Sequence, residues 1–171
     1  STVHTVISSH TLQNTQTGAI ERIGLIQDIS ESIKSQDILK EQENRLSIII
    51  HNSMDAIITI DTSETILIFN TAAEVMFGHL ARDAMKMSLS SLIPLAQRAG
   101  HHAHVQAFSL SGDTARKMGA KLILKGLRAN GEEFPLDASI SRAVSNGKVY
   151  MTVIVRDLTK QVKAQNELDH A

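Results

Sequence analysis

The residues best suited to chemistry are three histidines, His101, His102 and His104, within a stretch from Gln97 to Leu110 that the sequence predicts to be helical. Imidazoles so close together could ligate a metal or move a proton. On a helical wheel His101, Val105 and Phe108 share one face, His104 lies at its edge, and His102 points elsewhere. Adjacent histidines diverge on a helix, and no Asp, Glu or Cys lies within a turn of them, which argues against zinc. No Ser/His/Asp set or pair of acids can be placed around them, so no catalytic group is assigned and the chain reads as a non-enzymatic segment. The competing reading of each histidine is an ordinary polar or core residue. Glu132 and Glu133, just after a turn, read as solvated.

Composition narrows the setting of these histidines. Seventeen basic and 18 acidic side chains give a formal net charge of −1, so no polyanion-binding face is implied. Aromatic residues make up 3%, too few to stack on bases, and nucleic acid is not an expected partner. The chain has no cysteine, which excludes disulfides, thiolate metal sites, c-type haem attachment and cysteinyl-flavin photochemistry. Apolar runs fall far short of the ~20 residues of a membrane span, and no signal peptide is visible. The expectation is a soluble, cytoplasmic segment with no membrane contact.

The elements that must position the histidines are legible from periodicity. Phe134, Leu136, Ala138 and Ile140 alternate with Pro135, Asp137, Ser139 and Ser141, and Val149, Met151, Val153 and Val155 repeat the alternation. Before them Leu122, Leu124 and Leu127 are strand-like. Asn130-Gly131 and Asn146-Gly147 are the dipeptides best able to close tight turns, so three adjacent antiparallel strands are predicted. Upstream, Ala56–Asp61 and Ile66–Phe69 flank a polar turn at Thr62-Ser63-Glu64. Asn70 is placed to cap a short helix that Gly78 ends.

The first 30 residues read as a strand pair, with Asn14 to Gly18 as the turn. They repeat the end of the chain at an offset of 129 positions: Gly18 falls on Gly147, and Asp28-Ile29-Ser30 on Asp157-Leu158-Thr159. Both copies then become helical. From Glu31 to Ser53 a helix carries Leu39, Leu46 and Ser53 at heptad spacing, with Ile49 and Ile50 widening the stripe. This stripe predicts a homodimer. Packing of the helix on its own sheet is the alternative beyond Leu46.

MDAIITID followed by ILIFNTAAEVMFG, then LSSLIP, then NGEEFPLDASIS with NGK and RDLTKQ resembles PAS sensor domains, in order, over about residues 46 to 160. The resemblance implies an α+β fold: a five-stranded antiparallel sheet in the order 2-1-5-4-3, with short helices over one face and a cavity between. It implies a PAS domain at 46–159, a helical linker at 31–45, the last hairpin of an upstream PAS domain at 1–30, and an output helix from 160 to 171. Asp157 and Thr159 would hold the signalling junction, and Asp28 and Ser30 its upstream copy.

In oxygen-sensing members a histidine of the long helix binds haem iron within Arg-x-x-His-x-x-aromatic. Arg98, His101 and His104 occupy those places, so the resemblance makes His101 the proximal ligand, with Met118 as a second axial candidate. The arginine that stabilises bound oxygen in such sensors is Leu122 here, a departure from the pattern. Flavin has no positive signal. A cavity that is empty or holds a small organic ligand stays open, with Met54, Met76, Met85, Met87 and Leu92 as candidate lining. The ending Leu168-Asp169-His170-Ala171 resembles connectors that lead into diguanylate cyclases. A cyclase output domain in cis is therefore expected, with a histidine kinase as the competitor.

Overall fold

The structure, a computed structural model, describes residues 2–118 and 124–170. The chain divides into two units, Ser1–Ile48 and Ile49–Ala171. In the first, β1 (Thr5–Gln13) and β2 (Ile20–Asp28) form an antiparallel pair whose residues are all exposed. Helix α1 (Ser30–His51) follows; its Leu39, Leu46 and Ile49 are exposed and Ile50 is half-buried.

The second unit contains β3 (Ala56–Ile60), β4 (Ile66–Phe69), β5 (Ala115–Met118), β6 (Leu124–Leu127), β7 (Glu133–Ser145) and β8 (Lys148–Asp157). They form one antiparallel sheet in the order β4-β3-β8-β7-β5, with β6 also on β7. The expected 2-1-5-4-3 order is present, and its third strand is two pieces. Met118 pairs with Ala138 and Leu124 with Leu136. The expected strand residue Leu122 lies outside the described residues. Over one face lie α2 (Thr71–Phe77), α3 (Ala81–Ala84), a 3-10 turn at Leu89–Leu92, and α4 (Arg98–Leu110). Helix α5 (Thr159–Asp169) leaves the end of β8.

Alternation dictates which sheet face is buried: Phe134, Leu136, Ala138, Ile140, Met151, Val153 and Val155 are all core residues. The two Asn-Gly dipeptides behave differently. Asn146 (φ 50°) and Gly147 (φ 73°) form the expected two-residue turn between Ser145 and Lys148. At Asn130-Gly131 only the glycine is left-handed, at φ 86°. There the Gly131 N–H donates to Arg128 O at 3.0 Å and the Arg128 N–H to Glu132 O at 2.9 Å, so the turn is tight but its loop is one residue longer than the one at Asn146-Gly147. The longer loop carries an arginine to the edge of the core.

Asn70 does more than cap α2. Its fully buried side chain accepts hydrogen bonds from the N–H groups of Ala73 (3.0 Å) and Ile57 (2.9 Å), and donates to the carbonyls of Ile50 (2.8 Å) and Asp55 (3.1 Å). One amide thus satisfies a helix start, a strand start and the end of α1 together. Asn70→Ala leaves these buried groups unpaired and is expected to cost on the order of 3 kcal/mol, read as a lower urea midpoint at unchanged slope.

Candidate functional site

Between α4, the Leu89–Leu92 turn and the sheet lies a cavity of about 340 Å³, a size suited to a small ligand. Its walls are apolar: Ile58, Phe77, Leu92, Leu136 and Val153 among them. His101, His104 and Met118 supply the soft or basic donors. Of the methionines and leucine expected as lining, Leu92 is there, whereas Met54, Met76, Met85 and Met87 are not among its walls, and Met54 is 98% exposed. His102 points away from it, as the helical wheel requires.

Position on α4 decides the state of each histidine. Val105 and Phe108 are buried on the same face as His101. Burial holds the His101 imidazole below its ordinary pKa; the charge of Glu64 opposes this, and His104 and His102 add to it. His101 is therefore neutral at pH 7, with a lone pair available. Its Nδ1 is buried and has no hydrogen-bond partner among the described residues. The donor set fits haem: a neutral imidazole, a thioether in Met118, and hydrocarbon walls. When bound, haem supplies reversible binding of diatomic gases at iron. The position of Leu122 lies outside the described residues. Among those residues no group of three or more His, Cys, Asp or Glu is placed to hold a bare metal ion.

No acid lies within a turn of the histidines along the sequence, but one does in space. Glu64, in the turn between β3 and β4, has Oε1 2.5 Å from Nδ1 of His102. Glu64 is 2% exposed, with a left-handed backbone at φ 62°. That conformation costs a non-glycine residue about 1–2 kcal/mol. No periodicity in the sequence marks it.

The second part of the site is the junction from β8 to α5. Asp157 Oδ1 accepts from the backbone N–H of Thr159 (2.8 Å) and from its hydroxyl, so the two residues read from the sequence do meet. The sequence reading missed Arg128. Its guanidinium donates to Asp157 Oδ2 (2.7 Å) and to the carbonyl of Met76, and pairs with Glu132 (3.3 Å). It also lies 3.8 Å over the ring of Phe134. Phe134 in turn packs edge-on against Phe77, a wall of the cavity, at 5.5 Å between centroids. A contiguous path therefore runs from cavity wall to α5: Phe77, Phe134, Arg128, Asp157, Thr159.

The upstream copy has the same skeleton. Ser30 N–H donates to Asp28 Oδ1 at 2.9 Å, and Ile33 N–H to Ile29 O, as Val162 N–H does to Leu158 O. Asp28 is held below its ordinary pKa by its bonds from Ser30. Among the described residues no arginine stands against it as Arg128 does against Asp157.

Arg128 is 18% and Asp157 30% exposed, so the pair is partly desolvated and worth more than a surface ion pair. Arg128→Ala is expected to cost about 2–3 kcal/mol, and Arg128→Lys to recover only part of it, because an ammonium cannot reproduce the fork. Partial burial pushes the Asp157 carboxyl up, but bonds from Thr159 and Arg128 outweigh this and hold it below the ordinary range. The stability from Asp157 is thus complete above the ordinary aspartate range and lost as pH falls through the lowered folded value. Urea unfolding between pH of about 6 and 2 should show a shallower acid limb in Arg128→Ala than in wild type.

The PAS fold family matches residues 44–158. The chain is 33% identical over 145 residues to the sensor protein FixL of Bradyrhizobium diazoefficiens, covering 85% of this chain and 28% of that protein. It is 28% identical over 116 residues to the oxygen sensor protein DosP of Escherichia coli, covering 68% of this chain and 14% of that one. It thus spans well under half of either relative. The PAS domain of an HTR-like protein from Haloarcula marismortui has the same fold, with a TM-score of 0.62 at 20% identity over 72% of this chain and 98% of that one. With the sheet order, the capped α2 and the Asp157–Thr159 junction in place, the chain belongs to the PAS fold family.

Proposed function

We propose that this chain is the sensory segment of a signalling protein, that its cavity takes haem on His101, and that occupancy is passed through Arg128 and Asp157 to α5. The observation that carries the haem assignment is a neutral His101 in the wall of an apolar cavity that Met118 also lines. The similarity to an oxygen sensor supports it. A gas or redox signal at the cavity would change the packing of Phe77 on Phe134, and the junction would pass that to the helix.

The rest of the organisation follows the sequence reading. Residues 1–30 act as the closing hairpin of an upstream PAS domain, supported by the repeated junction at Asp28 and Ser30. Helix α1 dimerises through Leu39, Leu46, Ile49 and Ile50, exposed or half-buried on a helix with no buried residue. Downstream of α5 stands an output domain in the same chain, assigned as a diguanylate cyclase, with a histidine kinase as the competing assignment. The setting is cytoplasmic; no helix among the described residues is long and apolar enough to cross a membrane.

Purified protein expressed with adequate haem should show a Soret band that His101→Ala abolishes; colourless protein with unchanged folding would overturn the haem assignment. Replacing Leu39 and Leu46 by Glu should give monomers by light scattering, since each buried seam leucine contributes about 1.5–3 kcal/mol. An unchanged dimer would place the interface elsewhere. Full-length protein should convert GTP to cyclic di-GMP, whereas autophosphorylation from ATP without GTP turnover would favour the kinase.

A further inference from the structure

Helix α4 presents two faces to two different tasks. His101 and His104 line the cavity, while His102 and Gln106, one turn apart, reach the turn between β3 and β4. His102 Nδ1 lies 2.5 Å from Glu64 Oε1, and Gln106 Nε2 donates to the Thr62 carbonyl at 3.0 Å. The same turn is braced from within: Asp61 Oδ1 accepts from the N–H groups of Ser63 and Thr65, and Glu64 O accepts from Leu89 N–H. Glu64 combines a left-handed backbone, which favours glycine, with a carboxylate sealed from solvent at 2% exposure. A turn that needed only its shape would be better served by glycine. A buried acid held there against that preference points to a role for its side chain.

We propose that Glu64 and His102 form a clasp that sets the rotation of α4 about its axis, and so makes Glu64 a positioning residue for the ligand that His101 holds. Because His101 and His102 are adjacent, rotation of α4 that frees one side moves the other by the same angle. The carboxylate also acts on His101 through its charge, as well as on His102 through contact. This inference rests on the haem assignment for its ligand and on the clasp geometry for its mechanism, and the two are tested separately.

The test uses Glu64→Gly, Glu64→Gln and His102→Ala, each titrated with hemin and followed by the Soret band, with amide hydrogen exchange of α4 measured before hemin is added. Glu64→Gly suits the backbone, so it should stay folded with an undiminished melting temperature. It should nevertheless speed exchange in α4 and weaken hemin binding about tenfold or more, the size of effect expected of an outer partner of a ligand. Glu64→Gln keeps an acceptor and should restore binding to near the wild-type value. His102→Ala should match Glu64→Gly, and combining the two should add little. Hemin binding and α4 exchange unchanged in both Glu64→Gly and His102→Ala would overturn the proposal. If wild type takes up no hemin, the haem assignment fails alone: faster α4 exchange in the two variants then still supports the clasp, and unchanged exchange overturns it.

Discussion

The second unit depends on one charge pair, the guanidinium of Arg128 against the carboxylate of Asp157. Asp157 ends the central strand of the sheet, just before the helix that leaves it. A carboxylate there needs donors, and Thr159 supplies one set from within the junction. Arg128 supplies the other from a loop 29 positions earlier, and binds the end of α2 and the face of Phe134 as it does so. Four elements are thus fixed by one planar group whose donors diverge. Lysine has no comparable geometry, and an exposed pair would have no comparable energy.

The cavity and the junction meet at Phe134. One side of this ring packs toward Phe77 and the cavity wall, and the guanidinium covers it at 3.8 Å. Close packing makes such a contact sensitive to volume, because the core cannot absorb a displaced ring without moving its neighbours. Gly126 shows how tight the region is: a Cβ there would come within 2.7 Å of both the Phe134 ring and Leu136. A ligand that moves Phe77 therefore acts on the partner of the residue that holds the start of α5. On the far side, α4 is fixed by Arg142 donating to Ser109 O at 3.0 Å and by the contacts of His102 and Gln106.

Local chemistry was the legible part of the sequence. Alternation marked the buried face of β7 and β8, Asn146-Gly147 marked its turn, and Asn70 marked its cap, because each acts within a few residues. Asp157 and Thr159 were legible through the resemblance to PAS domains, and their copy at Asp28 and Ser30 through the internal repeat. Arg128 and Glu64 were not. Arg128 reads as one charge in a polar loop until the register of β7 on β8 brings Asp157 beside it. Glu64 reads as a solvated turn residue until α4 folds across the turn. The helical wheel separated His102 from His101 correctly, but it could not supply the acid that His102 meets. Asn130-Gly131 marked a turn as well, with only Gly131 left-handed, because Gly131 N–H closes on Arg128 O and Arg128 N–H on Glu132 O.

The most direct test of the proposed coupling between cavity and α5 is amide hydrogen exchange along Thr159–Asp169, compared with and without hemin in wild type and in a variant lacking the Arg128 guanidinium. Hemin is predicted to change protection in the first turns of α5 in wild type and to leave it unchanged in the variant, although hemin still binds. Equal protection of α5 with and without bound hemin in wild type, or the same change in the variant, would contradict the account.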